Sequence, residues 1–379
     1  MRAAGIQIVP PDINKSSYTF FPDADNNQIF FGLRGILNVG EDIIKQTIEN
    51  RPYSSPKDYM IKVNPKKSSM ISLIKGGAFD SMMDRKLCMA WYIWETCDKK
   101  SRITLQNMGG LMKYNLLPAT KEEHIIARRV YEFNRYLKAI CKYDTNKYKL
   151  DERAIQFLID IEQEKLIIDG MFMDIKSWNK VYDNWMNIFR TWINENKVFI
   201  LQKMNDSIFA EDWHKYADGT LSAWEMEALC FYYHEHELAH LNQERYGFSD
   251  FTKLPEEPVV DRSFVKGGKT INIFKLTKLC GTCIAKNKDK GLVTLLTPTG
   301  VVTVKFRKEY FAMFDKQISE RQADGTKKVI EKSWFNRGQK IVVQGMRSGD
   351  AFVSKKYASS GGHQLYKITE VFSNGEIAL

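Results

Sequence analysis

His236-Glu237-Leu238-Ala239-His240 has the residue types and spacing of a catalytic zinc site. On a helix, two histidines four residues apart share a face and hold the metal, while the intervening glutamate acts as general base. Such a site also needs a third protein ligand, and the only later histidine is His363, in a region of different character. The flanking Trp224-Glu225-Met226-Glu227 and Phe231-Tyr232-Tyr233 read as an ordinary amphipathic helix, so the stretch is expected to be structural, with a zinc metalloprotease as a distant alternative. Cys280-Gly281-Thr282-Cys283 is a lone pair of thiols. Structural zinc needs a second pair at usable spacing, and thiol redox chemistry needs a strand–helix context. This segment reads as a strand, so both cysteines are expected to pack there. Phosphate-binding and dinucleotide-binding glycine loops and the nucleophile elbow are all missing from the sequence. No catalytic residue and no metal ligand is assigned in this chain.

The remaining chemistry is that of binding. The turn Leu37-Asn38-Val39-Gly40-Glu41 separates two short helical patterns, and backbone N–H groups where the second helix starts are suited to a DNA phosphate. Val39, Gly40 and Glu41 are the candidate contacts. Val63-Asn64-Pro65-Lys66-Lys67-Ser68 is the candidate partner hairpin, with Asn64, Lys66, Lys67 and Ser68 beside the phosphate. Plain helical hairpins have the same pattern, so the charge balance matters. The chain has 379 residues with 56 Lys and Arg against 46 Asp and Glu. Residues 265–379 contain 21 basic against 9 acidic residues, and the rest contains 35 against 37. All the excess positive charge therefore lies in the C-terminal region, the footprint of a polyanion-binding domain. Within it, Lys286, Lys288 and Lys290 fit a first loop. Lys305, Phe306 and Arg307 fall on a third strand, and Lys355, Lys356 and Tyr357 near a fifth. Which alternate residues point outward is left open, because a one-residue slip exchanges the faces.

These residues need elements to carry them. Residues 1–30 are loop-rich, and 31–90 hold short helices, one with Ile43, Ile44, Thr47 and Ile48 on a face and another near Ser69–Lys75 ending at Gly76-Gly77. Residues 85–245 carry long helical patterns, and the stripe Trp178, Tyr182, Trp185, Phe189 and Trp192 is expected to pack as a core face. Residues 247–264 read as a linker around Pro255 and Pro258. Beyond it the period changes to β-branched runs at 292–296, 301–306 and 341–343, with one helical stretch near 309–318. About five strands with a helix after the third suggest a small OB-fold barrel over 265–379. The fold class is α+β and multidomain: tandem helix-hairpin-helix, a large helical region, and a C-terminal barrel. No apolar run is long enough to span a membrane, the N-terminus lacks the pattern of a signal peptide, and six scattered cysteines suit a reducing cytoplasm.

The order of segments resembles the bacterial replicative DNA polymerase III alpha subunit. Gly5-Ile6-Gln7-Ile8-Val9-Pro10-Pro11-Asp12-Ile13-Asn14-Lys15-Ser16 is similar to the stretch that ends its fingers region. Ile29-Phe30-Phe31-Gly32-Leu33 through Val39-Gly40-Glu41 resembles its hairpin, with Asn38 in place of the first glycine. Val63-Asn64 and Leu73-Ile74-Lys75-Gly76-Gly77-Ala78-Phe79-Asp80 resemble its next motif. Phe231-Tyr232-Tyr233-His234-Glu235-His236-Glu237-Leu238 resembles the segment before its OB domain, with Glu237 in place of proline and His236 as a structural helix-end residue. Residues 1–90 and 225–379 are covered; about 100–220 are not, and look like an expanded insertion in a helical linker region over 91–246.

The resemblance implies a DNA-guiding part of a polymerase, holding duplex DNA through the hairpins and single-stranded template through the barrel. It also implies that the chain starts within the fingers, as a split subunit, a phage-encoded form or a fragment, with the palm aspartates and their Mg²⁺ on a partner polymerase palm/fingers segment or subunit. The sliding clamp is a further implied partner, although Gln106-Asn107-Met108-Gly109-Gly110-Leu111 lacks the aromatic end of a clamp motif. A stand-alone DNA-binding accessory protein is the alternative.

Overall fold

The computed structural model describes residues 6–321, 327–358, 362–372 and 374–379. Met1–Gly5, including the glycine of the first motif, lie outside the described residues. The chain divides into two compact units, residues 1–89 with 219–379, and residues 90–218.

The first unit starts with a small sheet, β1 (Gln7–Val9), β2 (Phe21–Asp23) and β3 (Gln28–Phe30), in the order β1-β3-β2. Three short helices follow, α1 (Glu41–Glu49), α2 (Pro56–Val63) and α3 (Lys67–Lys75), and α4 (Arg85–Thr96) starts in this unit and ends in the second. On α1, Ile44 and Thr47 are buried as the spacing implies, but Ile48 at the edge of that face is exposed. The segment Asp12–Ser16 clamps onto these helices. Asn14 donates to Tyr53 O and accepts from Tyr53 N, both at 2.9 Å, and Arg51 Nε donates to Ile13 O at 2.6 Å.

At the C-terminal end of α3 the chain turns at Gly77 with φ +85°, where a Cβ would lie 2.4 Å from Arg85 Nη2. Only glycine fits beside that guanidinium. Arg85 in turn donates to Asp80, to Lys75 O and to Glu225.

The second unit contains α5 (Met108–Lys113), α6 (Glu122–Tyr136), β4 (Lys147–Lys149), α7 (Glu152–Asp160), β5 (Phe172–Asp174), α8 (Ile175–Glu195) and α9 (Lys197–Tyr216). Its core is built as the aromatic stripe implies. Trp178 and Phe189 are fully buried, and Tyr182, Trp185 and Trp192 pack around them. The long helical patterns read over 85–245 are interrupted where β4 and β5 pair antiparallel.

The chain returns to the first unit with α10 (Leu221–Leu229), α11 (Gln243–Tyr246) and an antiparallel hairpin of β6 (Val260–Lys266) and β7 (Lys269–Phe274). The barrel follows: β8 (Thr277–Asn287), β9 (Leu292–Thr297), β10 (Gly300–Lys305), α12 (Lys308–Phe314), a hairpin of β11 (Ile318–Arg321) and β12 (Lys327–Glu331), then β13 (Lys340–Ser348), β14 (Ala351–Ser354) and β15 (Leu365–Ile368). A last short pair, β16 (Glu370–Val371) and β17 (Ile377–Ala378), closes the chain.

The barrel order is β14-β10-β9-β8-β13, and β13 pairs back onto β14 to close it. All neighbours are antiparallel except β10 and β14, which run parallel. This is the expected five-stranded barrel with its helix after the third strand. The period of two places Val293, Leu295, Val302, Val304, Ile341, Val343 and Phe352 inside. Gly345 marks a tight corner, since a Cβ there would meet Val353 O at 2.2 Å. The helix after the third strand ends at Phe314, shorter than the expected 309–318, because Ile318 already belongs to β11. The boundary set at 264/265 falls inside β6, and the presumed linker is fastened down, with Arg347 Nη1 donating to Leu254 O at 2.9 Å.

Candidate nucleic-acid interface

The two helical hairpins are tied to each other. Asn38 has φ +62°, a left-handed conformation that asparagine tolerates better than most side chains, which accounts for its use in place of glycine. Its carbonyl accepts from Ser69 Oγ at 2.7 Å, and its amide donates to Ser72 Oγ at 3.1 Å. The turn before α1 is thereby pinned to α3. Asn64, with φ +47°, ends α2, and Lys66 is the residue from which α3 starts.

The two helix starts differ electrostatically. The first turn of α1 carries Glu41 and Asp42, and Glu41 accepts the Tyr18 hydroxyl at 2.8 Å, which raises the tyrosine pKa. The first turn of α3 carries no carboxylate and has Lys66, Lys67 and Ser68. A helix start with N–H ends and basic side chains together is of the kind that attracts an anion, and α3 fits that description better than α1. At α1 the glutamate side chain works against it. Gly40 keeps an open approach, with no atom within 4 Å of where its Cβ would be.

On the barrel, strand register separates the expected contacts. Lys305 and Arg307 are exposed. Phe306, grouped with them as a candidate DNA contact, is instead only 4% exposed and packs on Phe335 with ring centroids 5.0 Å apart. It belongs to the core and offers no ring to a base. Lys286, expected in the first loop, lies within β8. Its ammonium is held by Asp315 and by Asn336 Oδ1 at 3.1 Å. Burial would raise the Asp315 pKa, but the lysine and the Ser333 hydroxyl outweigh it and hold the carboxyl below its usual range. Lys288 reaches the same carboxylate at 3.3 Å, and Lys290 is exposed in the turn.

Lys355 is half-buried, its ammonium over the rings of Phe274 (5.1 Å) and Tyr357 (5.0 Å). Tyr357 Oη accepts from Phe274 N at 2.9 Å. Both residues therefore brace the base of the β6–β7 hairpin. Lys356 is exposed and donates to Gly362 O.

That hairpin was missed in the sequence. The available signal was Gly267-Gly268 between two alternating runs, a two-residue hairpin turn. It brings Arg262, Lys266 and Lys269 to the surface.

The motifs for other chemistries are taken up structurally. α10 ends at Leu229, so His236–His240 is not helical and the two imidazoles do not share a helix face. For the same reason His236 is not a helix-end residue. His236 Nδ1 accepts from Leu238 N, and its Nε2 faces Leu296 O at 3.0 Å; Glu237 pairs with Lys340 at 3.0 Å. Cys280 packs on the outer side of β8 with Leu238 and Val342, whereas Cys283 lies in the barrel core. Burial pushes the Cys280 thiol up to about 12, so it stays protonated and unreactive at neutral pH. Among the described residues no group of three His, Cys, Asp or Glu is placed to hold a metal, and no helix is long and apolar enough to cross a membrane. In the segment at the clamp position, Met108 and Leu111 are fully buried in the second unit's core, so its apolar side chains are not available to a partner.

Residues 5–87 match the family model described as a helix-hairpin-helix motif. Over its whole length the chain is 36% identical to a probable DNA polymerase, YorL, of Bacillus subtilis (strain 168), and equally to a DNA-directed DNA polymerase of Bacillus phage SPbeta. A stretch of 24% of the chain is 34% identical to 8% of the DNA polymerase III subunit alpha of Thermus aquaticus. The chain spans about 30% of the length of the curated relatives that it matches throughout.

Proposed function

We propose, from a chain related to phage DNA polymerases and to DNA polymerase III alpha subunits, that it is the DNA-guiding part of such a polymerase, working in the cytoplasm. The tandem hairpins hold duplex DNA, and the barrel holds single-stranded template. The observation that carries the duplex half is the Asn38–Ser69–Ser72 linkage. It fixes the two hairpins against each other, and the first turn of α3 brings Lys66, Lys67 and Ser68 together with no carboxylate of its own. Gly40 and Val39 add a close backbone approach. The single-strand half rests on the concentration of positive charge in residues 265–379 and on Lys290, Lys305, Arg307 and Lys356 at the barrel surface. Polymerisation itself, with its Mg²⁺, is assigned to a polymerase palm, as a segment or a subunit, because phosphoryl transfer needs carboxylates that hold the bridging metals. The sliding clamp is a partner implied by the resemblance alone, since Met108 and Leu111 within residues 106–111 are buried.

The test is duplex binding by the full chain across a salt series. Each neutralised phosphate contributes about −0.9 to the log–log slope on duplex DNA. Lys66→Ala with Lys67→Ala is expected to make the slope shallower by roughly 1–2 units and to weaken all sequences alike. A wild-type slope near zero would reject the DNA reading.

A further inference from the structure

The β6–β7 hairpin forms a two-stranded sheet of its own, outside the barrel ladder. Every residue of β6 is exposed, including Val260 (45%), Phe264 (46%) and Val265 (71%). An isolated hairpin is marginal in water, and apolar side chains on it are left without a core to enter. Its register is nevertheless well defined, from Lys266↔Lys269 at the Gly267-Gly268 turn back to Val260↔Phe274. Its base is locked to the barrel by the Phe274 N to Tyr357 Oη bond and by Lys355 over both rings. The hairpin is thus a ribbon held out from a rigid support.

The pairing also sorts its two faces. Arg262, Phe264 and Lys266 share one face with Lys269, Ile271 and Ile273, while Ser263 and Val265 share the other with Asn272 and Thr270. This first face carries three cations, Arg262, Lys266 and Lys269, with the Phe264 ring between them; the strand is bulged between Val260 and Arg262, and Asp261 sits at that bulge outside the paired register. Arg262 and Lys266 lie four residues apart on one strand, about 13 Å at ~3.3 Å per residue. That span is close to the major-groove width of about 12 Å, and the groove admits a two-stranded ribbon.

We propose that the β6–β7 hairpin is a duplex-DNA contact, with Lys266, Lys269 and Arg262 neutralising backbone phosphates and Phe264 making the apolar contact between them. This rests on the DNA reading above and adds to it a contact outside the helical hairpins. The ribbon's base is tied to the barrel beside Lys355 and Tyr357.

The experiment titrates the full chain with a labelled 24-base-pair duplex and with the corresponding single strand, across a salt series. Lys266→Ala with Lys269→Ala is expected to weaken duplex binding about tenfold or more at low salt. It should make the duplex slope shallower by about 1.8, two phosphates at about 0.9 each. Lys176→Ala with Lys180→Ala, which removes the same charge from the second unit, and Val265→Ser on the opposite face should leave duplex binding as in wild type. Unchanged melting of all variants confirms that the comparison is between folded proteins. Wild-type binding with an unaffected Lys266/Lys269 variant overturns this inference and spares the helical-hairpin reading. A loss on single strands alone overturns it as well, by making the ribbon a template contact. A change in sedimentation of the variant would instead make this face a contact between copies. A wild-type chain that ignores duplex DNA overturns both proposals.

Discussion

Arg85 Nη1 donates to Glu225 Oε1 at 2.8 Å across 140 residues of sequence, with both side chains sealed from solvent. The carboxylate is fully used: Oε2 accepts from Tyr233 N at 2.8 Å and His234 N at 3.0 Å, and His234 Nδ1 lies 2.6 Å from Oε1. The pair joins the start of α4 to α10 and to the chain entering the barrel. It is the physical meaning of the Gly77–Asp80 motif, whose aspartate holds the other side of the same guanidinium.

Removing one partner leaves a buried charge without its counter-ion, a loss of about 3–5 kcal/mol. Glu225→Ala and Arg85→Ala are therefore expected to lower the urea midpoint sharply. The double variant should cost less than the sum of the two. Additive losses in a denaturation cycle would show that the two residues act independently.

Phe306→Ala is expected to lose about 3–5 kcal/mol of barrel stability, the cost of a cavity in a packed core. Lys305→Ala, its outward neighbour, should stay within about 0.5 kcal/mol of wild type while weakening single-strand binding in a salt-dependent way. Thermal melts beside binding titrations of the two variants check this. A stable Phe306→Ala protein with reduced base stacking would contradict the buried register.

Lys286→Met should destabilise the barrel through Asp315, by about 1.5–3 kcal/mol for a lost charge-assisted hydrogen bond, and should leave the salt slope of DNA binding unchanged. Urea denaturation at pH 7 and a salt titration read the two effects separately.

His236 is held neutral: burial lowers its pKa below the ordinary 6.5, and protonation would break the bond that Nδ1 accepts from Leu238 N. The unfolded chain takes up this proton first as the pH falls. Stability is therefore full above about 6.5 and declines below it until the folded-state pKa is passed. His236→Gln should flatten this part of the pH–stability curve between pH 7.5 and 5.5, as followed by urea midpoints. Zinc bound stoichiometrically and lost with His236→Ala would instead revive the hydrolase.

Much of the architecture was legible in the residues. A period of two in Val301–Phe306 and Ile341–Val343, and a helical period through Trp178 and Phe189, are local properties that pattern reading captures. The localisation of positive charge is a property of composition alone. Three features depended on contacts distant in sequence. The face of each barrel strand required the closed register, since one residue of slip would put Phe306 outside and Lys305 inside. The fate of Lys286 required Asp315, 29 residues on, to arrive beside it. The segment His236–His240 has helical spacing but is drawn into turns, where His236 meets Leu296 O and Glu237 meets Lys340 on the barrel. Local preference is a matter of tenths of a kcal/mol per residue, and a partner brought from far along the chain readily outweighs it.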